Sequence, residues 1–252
     1  MAVYRSGEWI SIGKAIEARP ETPSGTWNCS ASMDRYLYAP QYISGMGYST
    51  MLDLVNLEDT PTTLVLQLLG NEGQLLGAEA PVTIAPLGSL QINNPAVFHL
   101  GQNQSIAQGY VRVKSSGARF AGMVFFQDAS AGKFSTVLPF IEKGQAASTF
   151  SHVAQDDLFY TGLATINPNA SNVSITIRVY SAEGLLIASG NRNITAGGRF
   201  SLVLPELVGN FPALTKGYFR VEASAPVISF AVFGTQDGRA LSAIPSSFAK
   251  SR

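Results

Sequence analysis

Residues 160–190 read YTGLATINPNASNVSITIRVYSAEGLLIASG, and this stretch decides the fold. Within it Val173, Ile175, Ile177 and Val179 alternate with Ser174, Thr176 and Arg178. A period of two places the first set on one face of a strand and the second on the other. The SAEG at 181–184 then reads as a hairpin turn, with Gly184 supplying a positive φ. Upstream, Asn167 opens a run of turn formers, NPNASN, where its side chain can bond its own backbone.

The same form occurs once before. Residues 49–77 read STMLDLVNLEDTPTTLVLQLLGNEGQLLG. Leu64, Leu66 and Leu68 alternate with Thr63, Val65 and Gln67, and GNEG at 70–73 occupies the place of SAEG. At a spacing of 111 residues Thr50 meets Thr161, Leu52 meets Leu163, Asn56 meets Asn167 and Gly73 meets Gly184. Further on the spacing is 108, where Gly109, Tyr110, Arg112 and Val113 meet Gly217, Tyr218, Arg220 and Val221. The spacing shortens only in polar or Gly-rich stretches. Length changes belong in loops, because a paired strand that slips by one residue exposes its core face. Few letters match because the pattern specifies which face is buried, and many residues satisfy that.

Each copy therefore predicts about seven short strands separated by turns. One short helical piece is expected per copy, at NPAVFHL (94–100) and LPELVGN (204–210), begun by Pro95 and Pro205. Strands at this spacing without long helices indicate an all-β fold of two similar tandem β-sandwich domains, 34–146 and 147–248. The polar EKGQAASTFSH at 142–152 is expected to link them. FAGMVFF (120–126) and ISFAVF (228–233) are apolar on both faces. Such a strand is either covered on both sides or presents an apolar face to a partner.

Residues 1–33 form an N-terminal extension. Trp9 and Trp27 lie here with Val3, Tyr4, Ile10, Ile12 and Ile16, a composition that favours folding over disorder. Its GEWISIG (7–13) is a candidate added strand, which needs a partner in the first copy or in a neighbouring molecule.

The 252 residues carry 17 basic and 17 acidic side chains, and charged residues make up 13%, about half the usual share. No basic stripe points to nucleic acid. No apolar run approaches a membrane span of roughly 18 residues or more, and the N-terminus has no signal-peptide core. The single cysteine, Cys29, has no intrachain disulfide partner.

The chain contains no G-x-S-x-G, H-E-x-x-H or G-x-x-x-x-G-K-[ST]. AGKFST (131–136) has Phe134 where a phosphate loop needs Ser or Thr, and GMGYST (45–50) lacks the third Gly of a dinucleotide site. Only His99 and His152 occur, without metal-ligand spacing. Glu58–Asp59 and Asp156–Asp157 are carboxylate neighbours, which read as solvated loop charge. These observations assign no catalytic, cofactor-binding or metal residue, and the chain reads as a non-enzyme without a cofactor. N-x-[ST] sites occur at Asn28, Asn103, Asn169, Asn172 and Asn193. Tyr36, Tyr38, Tyr42 and Tyr48 crowd the start of the first copy. They are the candidate ligand-binding residues, able to stack on a sugar or other flat ligand, or else they cover the junction with the N-terminal segment.

The chain resembles the tandem immunoglobulin-like or fibronectin-like β-sandwich repeats of secreted and cell-surface bacterial proteins. The resemblance rests on the shared order of LYAPQ (37–41) or SHVAQ (151–155), the two quoted strand–turn stretches, GYVRVKSS or GYFRVEAS, and a closing STVLP or LSAIP. It implies an extracellular or cell-surface, non-catalytic structural or adhesive module, with a protein or polysaccharide partner or with itself. The alternatives are a carbohydrate- or ligand-binding module, a filament subunit joined by strand addition, and a hydrolase using Asp156, Asp157 and His152.

Overall fold

The alternation at 173–179 is realised as a strand with Ile175 and Ile177 facing inward, 1% and 0% exposed. The computed structural model of the chain describes residues 2–5, 8–11, 34–100, 107–129 and 132–247. Two compact units are present, Met1–Ser32 and Met33–Arg252. In chain order the elements are β1 (Ala2–Arg5), β2 (Glu8–Ser11), β3 (Arg35–Ser44), β4 (Tyr48–Asn56), β5 (Thr62–Leu69), β6 (Ala80–Ile84) and β7 (Ser89–Ile92). A 3₁₀ turn (Pro95–Phe98) precedes β8 (Ala107–Ser115), β9 (Phe120–Asp128) and β10 (Ser135–Pro139). Then follow β11 (Gln145–Phe150), β12 (Phe159–Ile166), β13 (Val173–Ser181), β14 (Leu186–Ile194), β15 (Arg199–Val203) and α1 (Leu204–Val208). The last strands are β16 (Gly217–Thr235), β17 (Leu241–Ile244) and β18 (Ser246–Ser247).

In the first unit β1 and β2 pair antiparallel, with Tyr4 opposite Trp9. The strand expected to join the first copy or a neighbouring molecule thus has a local partner. Closing a very short connection costs little entropy. Trp27, Cys29, Asn28 and Asn103 lie outside the described residues.

In the second unit all sheets are antiparallel. β3 to β10 form the first half, in two sheets ordered β3-β8-β5-β6 and β10-β9-β4-β7. Their inward residues meet in one core that includes Leu37, Leu52, Leu64, Leu66, Val113 and Val124. Burying each large aliphatic side chain contributes about 1.5–3 kcal/mol. In the second half one sheet runs β14-β13-β16-β11-β18, and β16 also pairs with β12 and β17, with β15 on the far side of β12. Its core includes Phe150, Leu163, Ile177, Val179, Phe219 and Val221.

Strand by strand the orders correspond. β11, the first part of β16, β13 and β14 follow one another as β3, β8, β5 and β6 do, and β17, the rest of β16, β12 and β15 as β10, β9, β4 and β7 do. The register corresponds too: Leu52 lies opposite Val124, and Leu163 opposite Ala231. The main departure is β16, which is continuous where the first half has β8, a loop at 116–119 and β9. Pro226, without an N–H to donate, stands where the strand passes from one sheet to the other.

Local chemistry explains the turns. Asn56 accepts from Glu58 N at 3.0 Å and donates through Nδ2 to the carbonyls of Thr60, Ile84 and Ala85. Asn167 accepts from Asn169 N at 3.0 Å and donates to Ser171, Ile194 and Thr195. Both are buried and act as turn anchors. Gly73 and Gly184 adopt φ of 77° and 82°. The expected helical pieces are present: Asn94 Oδ1 accepts from Ala96 N at 2.9 Å, and Glu206 accepts from Val203 N at 3.0 Å.

The expected linker at 142–152 is corrected. Residues 145–150 form β11, paired with β16 and anchored by Phe150, which is fully buried. Its alternate residues are small and polar because one face is outward, so composition alone reads as loop. Among the described residues no helix is long and apolar enough to cross a membrane.

Candidate functional site

The four tyrosines of the first copy are dispersed. Tyr42 lies in the core, its ring edge-on to Phe98 at 5.4 Å, and burial pushes its hydroxyl up to about 12. Tyr36 and Tyr38 stand on the outer face of the β3-β8-β5-β6 sheet, with ring centres 6.4 Å apart. Tyr48 packs against Phe134 at 5.8 Å. No single ring platform contains all four.

Around Tyr36 there is a polar groove of about 330 Å³ lined also by Thr63, Gln67, Glu79, Arg112 and Lys114. The Arg112 guanidinium lies 5.7 Å from the centre of the Tyr36 ring, within cation–π range. Arg112 Nε donates to Gln67 Oε1 at 2.6 Å, and Gln67 donates to Glu79. Lys114 pairs with Asp34 at 2.9 Å, and that hydrogen bond raises the lysine's pKa. Burial raises the pKa of Tyr38, with Arg112 acting against it. The groove can offer a ring face and cations to a flat or acidic ligand.

A second site lies at the seam where the halves meet. Tyr110, 2% exposed, donates its hydroxyl to Gly197 O at 2.7 Å. Arg199 N donates to Asn71 O at 2.8 Å, and its guanidinium reaches the Gly109 carbonyl. Burial lowers the Arg199 pKa to about 10, which leaves it charged at neutral pH. Arg199 Nε and Gln41 Oε1 are buried without a hydrogen-bond partner among the described residues. Leu69, Tyr110, Ile166 and Ile228 form a small apolar cluster, and the Phe126 and Phe230 rings meet at 5.8 Å. Beside them is a cavity of about 280 Å³ bounded by Gln41, Tyr48, Phe126, Tyr160, Glu206 and Phe230. Its wall is mostly apolar, with a few polar groups that can orient a small guest.

The remaining sequence candidates stay apart. Glu58 binds Arg119 at 3.1 Å, and that hydrogen bond lowers its pKa. Asp156 accepts from the backbone N–H groups of Leu158 and Phe159 at 2.8 and 2.7 Å, as a turn residue does. His152 packs on Phe233 at 4.5 Å. Among the described residues no group of three or more His, Cys, Asp or Glu is placed to hold a metal.

Sequence reading missed Tyr110, Arg199 and Gln41. No signal in the letters marked Arg199: the spacing of 111 sets it against Gly88, and only the strand pairing, Val55 with Ser89 and Ile166 with Arg199, makes Ser89 its counterpart.

No family model matches the chain, and no curated protein matches it. Among solved structures it aligns with a beta-glucuronidase 2 of Bacteroides uniformis, covalently bound to cyclophellitol-6-carboxylate aziridine, at 12% identity and a TM-score of 0.18. The alignment covers 97% of this chain and spans 29% of that protein, and a likeness so slight carries no argument about fold or activity.

Proposed function

We propose that the chain is a non-catalytic structural or adhesive module of an extracellular or cell-surface protein, made of two similar tandem sandwich domains over 34–146 and 147–248. The observation that carries this reading is the seam. Tyr110–Gly197 and Arg199–Gly109 tie the halves by buried hydrogen bonds, and interlocked halves transmit load or hold a fixed span. The resemblance to surface repeats points the same way. Spin labels at Thr83 and Asn193, both exposed, test it by distance measurement. A narrow distance distribution is expected; a broad one, as from freely jointed halves, overturns the reading.

A second reading, a carbohydrate-binding module, is favoured by the Tyr36–Arg112 groove. Full chain on a glycan array that includes acidic polysaccharides separates the two. Saturable binding lost in both Tyr36→Ala and Arg112→Ala supports ligand recognition.

A further inference from the structure

Each side of the seam has a counterpart elsewhere on the chain that no described residue of the second unit covers to the same degree. On the first-half side, Leu69 lies opposite Tyr110 and Phe126 opposite Thr50, and the three apolar residues are 4%, 2% and 3% exposed. In the second half, Tyr180 lies opposite Tyr218 and Phe233 opposite Thr161, at the same places in the same strands. These three are only half-buried. The Tyr180 and Tyr218 rings stack on each other at 4.9 Å.

The other side behaves in the opposite sense. Ala164 lies opposite Phe230 and Ile166 opposite Ile228, and all four are at most 4% exposed under the first half. Their counterparts in the first half are Asp53 opposite Met123 and Val55 opposite Ala121. Met123 is 49% exposed, Ala121 is exposed, and the other two are half-buried. So the chain bears both partners of its own seam a second time, each without its mate among the described residues of the second unit.

We propose that these two surfaces bind each other between molecules. The Tyr180–Tyr218 end of one chain seats on the Met123 face of a second copy of this chain, repeating the internal seam. The polar substitutions are complementary. Gln41 and Ala164 line the same seam cavity. Thr50 bonds Ile43 as Thr161 bonds Ala154, which makes His152 the counterpart of Gln41, while Asp53 is that of Ala164. A histidine on one chain is therefore brought to the same cavity as an aspartate on the next. Such a contact is head-to-tail, and the rotation it imposes decides between an open filament and a closed ring. It lacks an equivalent of Arg199, since Ser89 stands there, and is weaker than the seam within the chain. The inference rests on the strand correspondence and goes beyond the proposed module function; a rigid module that stays monomeric leaves that function standing.

Cross-linking of the full chain tests it. Arg199 N and Asn71 O touch at the seam, and their counterparts are the exposed Ser89 and Ala182. Residues in backbone contact lie within disulfide reach. In a Cys29→Ser background, Ser89→Cys chains are mixed with Ala182→Cys chains under mild oxidation. The mixed disulfide should form about tenfold faster than either variant forms a disulfide with itself, because docking raises the local thiol concentration. Adding Met123→Glu to the first chain should remove the preference without changing the melting temperature, and Tyr218→Ser in the second should remove it with a modest loss of stability, because the ring also stacks on Tyr180. Absence of the preference, its survival in both added variants, or light scattering that shows only monomer at high concentration overturns the proposal. A monomer result includes the case in which another part of the chain lies over the Met123 face.

Discussion

The Tyr110 hydroxyl and the Gly197 carbonyl oxygen meet at 2.7 Å across 87 residues of chain. The tyrosine is almost wholly buried, so a phenylalanine there leaves a carbonyl without its donor. Tyr110→Phe should lower stability by about 1–2 kcal/mol. Tyr218→Phe, at the corresponding half-buried place, should stay within about 0.5 kcal/mol. Urea unfolding of both variants checks this, and equal losses would show that the seam bond contributes nothing of its own.

A paired glycine test isolates the seam by sterics. Gly73 and Gly184 both hold positive φ, so alanine strains each backbone by about 1 kcal/mol. A Cβ on Gly184 meets nothing within 4 Å, whereas one on Gly73 lies 2.6 Å from the Gly197 carbonyl oxygen. Gly73→Ala should therefore cost at least about 1 kcal/mol more than Gly184→Ala. Thermal melts of the two variants decide it.

Face assignment in β13 gives a sharper contrast. Ile177 is fully buried, while Thr176 points outward and bonds Asn191 at 2.8 Å. Ile177→Asp places an unpaired carboxylate in the core and should cost about 3–5 kcal/mol or unfold the second half. Thr176→Asp should cost within about 1 kcal/mol. Denaturant midpoints measured side by side would expose a wrong face by coming out equal.

Alkaline pH should destabilise the chain through two tyrosines. Burial raises Tyr42 and Tyr110 from 10.0 to about 12. In the window between those values the unfolded chain loses a phenolic proton that the folded chain keeps. Stability is thus fully present below pH 10 and falls as pH rises toward 12, by about 2–3 kcal/mol per tyrosine. Unfolding curves at several pH values check the slope. Phenylalanine at both positions should reduce it, the remainder coming from Tyr38 and Tyr160, which burial also raises.

How far these features were legible depends on what kind of pattern encodes them. The inward set Leu64, Leu66, Leu68 and Ile175, Ile177, Val179 could be read because a strand's period of two maps directly onto its faces. Asn56 and Asn167 could be read because turn residues surround both. The seam could not. FAGMVFF and ISFAVF are equally apolar in the letters, yet Phe230 is buried under the first half and Met123 stands 49% exposed. Whether a second face is covered depends on a distant element, and no local period records it. The dispersal of the four tyrosines was not legible either. Neighbours in the chain, Tyr42 and Tyr48 with Tyr36 and Tyr38, are divided among core, seam and outer face by the β-bulge between Ala39 and Tyr42, which reverses the alternation of β3, and by the turn at 45–47. β11 escaped because Phe150 is the single large apolar residue of its strand.

The continuous strand β16 makes the two halves unequal as hosts for foreign sequence. Between β8 and β9 the chain leaves the sheet at 116–119, and a Cβ on Gly117 would meet nothing within 4 Å. A peptide epitope spliced after Gly117 should be displayed without loss of fold. The same epitope spliced after Ala225 interrupts a strand that serves both sheets of the second half, and should abolish soluble expression. Antibody capture of the two fusions, read beside their yields, distinguishes a permissive loop from a structural tie. One half of the chain is thus open to grafting at a place where the other is closed.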